Sequence, residues 1–269
     1  VTGKLTAGAD GRVTGPANIT YNSPFPCVNG NPGGMSVPHG IQGLIVHTMV
    51  GNLPGTVEVF NQPSFQASAH FGVDQSGAIH QFGSVRGWKA WAQEAGNPNW
   101  YSCEFADNGN PDNPLTQAQI TAAAQLLECL SAPGVGNFPL QVANSVSGEG
   151  LGVHYMGGQE WGGHTCPDSP PAHVRSAQRP QIVALAMAIR QGGAVTPPNV
   201  RQWTTAGMSS LSQLAASQKT TPAVILQLTA QHSASPLPAE LATYLNGVFG
   251  GTADPAKPMP RDLVLYLPG

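Results

Sequence analysis

Gly43-Leu44-Ile45-Val46-His47-Thr48-Met49 is the stretch that decides how this chain folds. Its unbroken apolar run, opened by a glycine, fits a central strand buried on both faces rather than the alternation of a half-exposed one. The run closes on His47, and in open sheets ligand sites lie beyond the carboxyl ends of the strands. A partly buried imidazole at such a place needs a partner, so His47 stands out among the eight histidines.

Downstream of this strand, TVEVFNQ (56–62) predicts a short helix. Two alternating runs, Ala69 to Val73 and Ala78 to Phe82, then flank Asp74-Gln75-Ser76-Gly77 and predict a hairpin. WYSCEF (100–105) predicts a further strand. After it the period changes: Ile120, Ala123, Ala124, Leu127 and Leu130 fall at helical spacing behind Thr116, a good N-cap. RPQIVALAMAIRQ (179–191) predicts another helix, with Pro180 near its start and Gly192-Gly193 after its end. The sum is an α/β fold in which a mixed central β-sheet is flanked by helices. Turn signals fill the first 40 residues, which we read as an irregular surface arm of a main domain over 1–191. Residues 192–202 read as a linker, and 203–269 as a small C-terminal α+β module.

Only 9% of the 269 residues are charged and the net charge is −3, which excludes the dense basic surface that holds nucleic acid by counterion release. With 33 glycines and 25 prolines, a loop-rich neutral surface suits a sugar or peptide polymer. No apolar run is long enough to span a bilayer, and VTGKLTAGADGRVTG has no leader-like core, although a processed leader stays open. Nothing in the sequence speaks to an oligomeric state. Four cysteines are too few for a disulfide scaffold. Cys27, Cys103 and Cys129 are expected as buried free thiols, with a Cys103–Cys129 bridge as the alternative.

The chemistry gathers in GVHYMGGQEWGGHTCPD (152–168). His154 and Cys166 are too far apart for one helical turn, and Gly157, Gly158, Gly162 and Gly163 make it sterically cheap for the loop to fold back and bring both to one ion. Joined by His47 they supply two imidazoles and a thiolate, which leaves one tetrahedral position of a zinc ion free for water, as in a hydrolytic site. Taken alone, the stretch is equally a glycine loop with a chance cysteine. His39, His80, His173 and His232 carry no such context.

The whole ordered set resembles the type 2 zinc-dependent N-acetylmuramoyl-L-alanine amidases, a family that includes phage endolysins and peptidoglycan recognition proteins. LIVHTM, AHF with its turn and IHQFG, a tryptophan-bearing segment, YSCEF, and a final His with TCP come in the family's order over roughly Gly40 to Arg190. The resemblance implies His47, His154 and Cys166 as zinc ligands. It implies Glu104 as the carboxylate that takes a proton from water, and His164 as a donor to the oxyanion. His70, Trp88 and Trp91 are candidate substrate contacts, the tryptophans equally candidate core residues. Two departures fall here: Asp168 stands where glycine is usual, and Cys103 where an apolar residue is common. In the C-terminal module, SLSQLAASQKTTPAVILQLT and PMPRDLVLYLPG in β-α-α-β order resemble a LysM-type peptidoglycan-binding unit, with Thr229-Ala230 replacing the usual asparagine.

The resemblance implies a zinc amidase that cuts N-acetylmuramic acid from L-alanine in bacterial peptidoglycan, acting at the cell wall. A phage endolysin is the first expectation and a secreted autolysin the second. A non-catalytic recognition protein and a zinc peptidase within the stem peptide remain the alternatives.

Overall fold

The computed structural model describes residues 3–35, 40–170 and 173–192, together with the backbone of 200–204 and 264–268. The buried strand is present as β4 (Gly43–Thr48), preceded by three short strands, β1 (Thr6–Ala7), β2 (Val13–Thr14) and β3 (Ile19–Tyr21). It is followed by β5 (Phe71–Val73), β6 (Ile79–Gln81), β7 (Trp100–Phe105) and β8 (Gly150–Val153). Six of these strands form one mixed sheet in the order β3-β6-β5-β7-β4-β8. All neighbours are parallel except the β5–β6 hairpin.

Alternation along β4 and β7 separates two faces. Leu44, Val46, Tyr101, Cys103 and Phe105 join one apolar cluster with helices α2 (Gln117–Leu130) and α3 (Arg179–Arg190), which also pack on each other. On the opposite face Ile45 and Trp100 pack with Trp161, while Phe82 and Trp88 pack with Phe60 of helix α1 (Leu53–Phe60). The domain is therefore layered as helices, sheet, then α1 with its loops. The second face carries the site.

Local chemistry explains the helix ends. Thr116 and Gln119 form the reciprocal capping box of α2. α3 carries Pro180 in its first turn and ends before Gly192 at φ +75°. α1 starts earlier than TVEVFNQ suggests, because the Asn52 side chain accepts from Gly55 N and Pro54 sits in the first turn.

The N-terminal arm is more than a surface irregularity. β1 and β2 pair, β3 becomes an edge of the main sheet, and Leu5 and Val13 are buried in the core. Strands of two or three residues are too short for alternation to reveal them. All four cysteines are free, with Cys27, Cys103 and Cys129 buried, so the alternative Cys103–Cys129 bridge is not formed. Among the described residues no helix is long and apolar enough to cross a membrane.

Chain contacts divide the protein into Val1–Val195 and Thr196–Gly269. In the second unit β9 (Val200–Thr204) pairs antiparallel with β10 (Val264–Pro268). Strand β10 falls within DLVLYLP, and β9 begins inside the stretch read as linker. The helices expected between them lie outside the described residues.

Candidate metal centre

Parallel register sets His47 directly beside Glu104 at the carboxyl ends of β4 and β7. β8 lies on the other side of β4, and His154 follows its last residue, opening the helical turn His154–Trp161. The chain then reverses through Gly158, Gly162 and Gly163, all at positive φ, and returns Cys166 to the same place. Gly157 serves differently: a Cβ there would overlap the Trp161 ring. As a result the ligand atoms of His47, His154 and Cys166 lie within 4.8 Å of one another. Among the described residues this is the group of three or more metal-binding side chains that comes together.

Hydrogen bonds settle which nitrogen each imidazole presents. Gln93 donates from Nε2 to the carbonyl of Trp100 at 3.1 Å, so its Oε1 accepts from His47 Nε2 at 3.2 Å. That leaves His47 Nδ1 with its lone pair free, 3.7 Å from Cys166 Sγ. His154 Nε2 donates to the carbonyl of Trp161 at 2.8 Å, which frees its Nδ1 in the same way. Both rings are thus oriented and held in one tautomer by partners behind them, as metal-binding histidines are. Burial is the main force holding His47 well below its usual pKa, with the neighbouring His154 adding to it, and burial likewise lowers His154. Two neutral imidazoles and a sulfur fit zinc chemically. An ion with bonds of about 2.0 Å to nitrogen and 2.3 Å to sulfur sets tetrahedral ligands roughly 3.5 Å apart, so the trio needs only a small adjustment.

The Cys166 thiol is pushed well above its ordinary pKa by burial and by Glu104, against a hydrogen bond donated from Thr48 N at 3.3 Å. Glu104 Oε1 lies 4.0 Å from His47 Nδ1, and its side chain is 14% exposed. Its Oε2 is the buried side-chain polar atom without a hydrogen-bond partner among the described residues. Burial and Asp107 raise this carboxyl to about 8, with Arg175 opposing them. His164 is exposed, its ring 5.0 Å from that of His154.

Not every candidate reaches the site. His70 has no exposed surface: its Nε2 donates to the carbonyl of Trp88 at 3.0 Å and its Nδ1 meets Ser102 Oγ at 3.1 Å. Trp88 packs edge-on against His70, and a Cβ at Gly30 or Gly83 would overlap its ring. Both residues are core, with no side-chain surface left for a ligand. Trp91 is half-buried on the wall of a cleft of about 540 Å³ that Glu104 also lines.

A second layer escaped the sequence reading. Asp107, fully buried, accepts from Thr48 Oγ1 at 2.5 Å, Gly51 N at 2.7 Å and Gly109 N at 2.8 Å. Arg175, also buried, donates to Thr48 Oγ1 at 3.0 Å and to the carbonyls of Phe105 and Asn113. Asp168, the departure from glycine, anchors the returning loop by accepting from Arg175 N at 2.6 Å, Ser176 N at 2.9 Å and Ser176 Oγ at 2.8 Å. Cys103 behaves as a small apolar core residue.

Residues 37–169 match a family model described as N-acetylmuramoyl-L-alanine amidase. N-acetylmuramoyl-L-alanine amidase A of Achromobacter lyticus is 33% identical over 126 residues, which cover 41% of this chain and 68% of that protein. The chain belongs to the N-acetylmuramoyl-L-alanine amidase family. His47, His154 and Cys166 of this amidase match the family's zinc site, and zinc is its cofactor. Among solved structures it is similar to the hydrolase AmiA of Staphylococcus aureus, with a TM-score of 0.48 and 17% identity over 68% of this chain and 88% of that one. A mutant endolysin from Bacillus subtilis gives a TM-score of 0.45 and 19% identity over 63% of this amidase and 99% of that chain.

Proposed function

We propose that this amidase hydrolyses the bond between the lactyl group of N-acetylmuramic acid and the L-alanine of the stem peptide, with Glu104 as general base and His164 as oxyanion donor. The observation that carries the reading is the unpartnered Oε2 of Glu104 beside the ligand trio. A buried carboxylate oxygen without a donor is costly unless a reacting group completes it. His47, His154 and Cys166 would hold the zinc ion, which would supply Lewis acidity toward a carbonyl and make water a better nucleophile near neutral pH. Glu104 takes a proton from the attacking water and returns it to the amine of L-alanine as that group leaves. His164, open to solvent beside His154, donates a ring N–H to the oxygen that gains charge.

Digestion of purified peptidoglycan with the zinc-loaded protein tests this. New L-alanine amino termini without new reducing sugars are expected. Amino groups on other residues would instead identify a stem-peptide peptidase, and no new ends would identify a binding protein.

We further propose that residues 203–269 hold the enzyme on the wall, on the strength of their LysM-like sequence. Deleting them should lower binding to intact walls more than cleavage of a small soluble muropeptide. Equal losses in both assays would remove the anchoring role. The order of catalytic unit and wall-binding tail supports a phage lysin, and a secreted autolysin would use the same chemistry.

A further inference from the structure

The N-terminal arm does more than lengthen the sheet. Directly after β3, the segment from Asn22 to Asn31 makes side-chain hydrogen bonds to two parts of the cleft that Glu104 lines, helix α1 and Trp91. α1 ends at Phe60, and the last carbonyls of a helix have no partner within it. The buried Asn29 side chain supplies donors from outside, giving Nδ2 hydrogens to Phe60 O and Gln62 O, each at 2.9 Å. Asn22, also buried, exchanges reciprocal amide bonds of 2.8 and 2.9 Å with Asn61, the residue that closes the helix.

Two residues beyond Asn29 the same strap reaches Trp91. Asn31 and Lys89 form an antiparallel bridge, each N–H donating to the other's carbonyl, at 2.9 and 2.8 Å. Trp91 follows Lys89 by two residues, which sets its side chain on the same face, within diagonal reach of Asn31. Its indole N–H donates to Asn31 Oδ1 at 2.6 Å. The Trp91 main chain is held separately by Ser68, whose Oγ accepts from Trp91 N at 3.0 Å and whose N–H donates to Trp91 O at 3.1 Å. With the main chain fixed in this way, the rotation of the ring is what remains, and Asn31 fixes it. Gly30 lies so close to Trp88 that a Cβ would overlap the ring, which seats the strap directly on the core between Asn29 and Asn31.

We propose that Asn31 is a positioning residue for substrate binding, holding the Trp91 ring on the cleft wall at a place set by the strap's bonds to α1. The proposal rests on the amidase reading only in that substrate reaching Glu104 passes along the cleft that Glu104 lines. The indole's one polar hydrogen is engaged by Asn31, so the half-buried ring offers its faces. Aromatic faces pack on the C–H surfaces of sugar and peptide alike. A ring free to turn would have to be ordered at each encounter, at a cost in binding free energy. Asn31 orders it before substrate arrives, so its effect falls on binding and not on the bond-breaking step.

The test measures kcat and KM of the full-length zinc-loaded protein on a soluble muropeptide, read as release of L-alanine amino termini. Asn31→Ala should raise KM about three- to tenfold, with kcat and zinc content unchanged. Asn31→Asp keeps an acceptor for the indole N–H and should return KM to within about twofold of wild type. Trp91→Phe has no N–H to hold, so it should raise KM by itself, and adding Asn31→Ala should change nothing further. Wild-type KM in Asn31→Ala, no recovery in Asn31→Asp, or additive effects of the two substitutions would overturn the positioning role. So would a fall in kcat or in zinc content alongside KM, which would make Asn31 a support of the fold. No L-alanine termini from the wild type would overturn the amidase reading itself.

Discussion

Cys166→Ser is expected to abolish stoichiometric zinc binding while the fold persists. A serine hydroxyl does not ionise near neutral pH, so the site loses its one anionic ligand and keeps two neutral imidazoles. Changes merely behind a ligand cost about ten- to a hundredfold in metal affinity, and removal of the ligand itself should exceed that range. The fold should survive because serine can still accept the hydrogen bond that Thr48 N gives to Sγ at 3.3 Å. Metal content after dialysis and competition with a chromogenic chelator measure the outcome. Stoichiometric zinc in the variant would sink the ligand assignment.

The same sulfur sets how zinc binding responds to pH. Burial keeps His47 and His154 neutral at pH 7, so neither ring has a proton to lose. Burial also raises the Cys166 thiol well above its ordinary value, so the empty site holds the thiol and zinc must displace its proton. Apparent affinity should therefore rise at least about tenfold per pH unit through the neutral range. Zinc added to the metal-free protein in weak buffer should release about one proton per ion bound. Binding without proton release would mean that Cys166 is already ionised in the empty site.

Much of the frame could be read from residues because each element announces itself locally. β4 is a continuous apolar run, the hairpin carries its turn, and α2 carries both halves of its capping box. β8 left no such mark: Gly150-Leu151-Gly152-Val153 is short and half glycine, yet it brings His154 to the site. The pairing of His47 with Glu104 is equally invisible along the chain, since it depends on which strands become neighbours. Motif order supplied both residues, and strand register explains why they meet. His70, a candidate substrate contact, leads into an interior strand, and its ring nitrogens are already engaged. Gln93, Asp107 and Arg175 come from loops with no periodicity, and only their hydrogen bonds reveal them.

Glu104→Gln should separate the two properties of that residue, lowering turnover while raising the stability of the metal-free protein. Glutamine keeps the shape and cannot take the proton, so kcat should fall by about 10²–10⁴ with zinc content unchanged. In the folded, metal-free protein, burial and Asp107 raise this carboxyl from 4.5 to about 8 against the pull of Arg175. A raised folded pKa means that the group's contribution to stability is fully present below the unfolded value and lost as pH rises through the folded one. The metal-free wild type should therefore lose stability, on the order of a few kcal/mol, between pH 4.5 and 8. The variant has nothing to ionise there, so its melting temperature should pull ahead of wild type as pH rises. Higher stability with lower turnover is the pattern of a group kept for chemistry at the expense of the fold. Full activity in Glu104→Gln would remove Glu104 from the mechanism, and coincident melting curves across that pH range would mean that its carboxylate is not buried unpaired in solution.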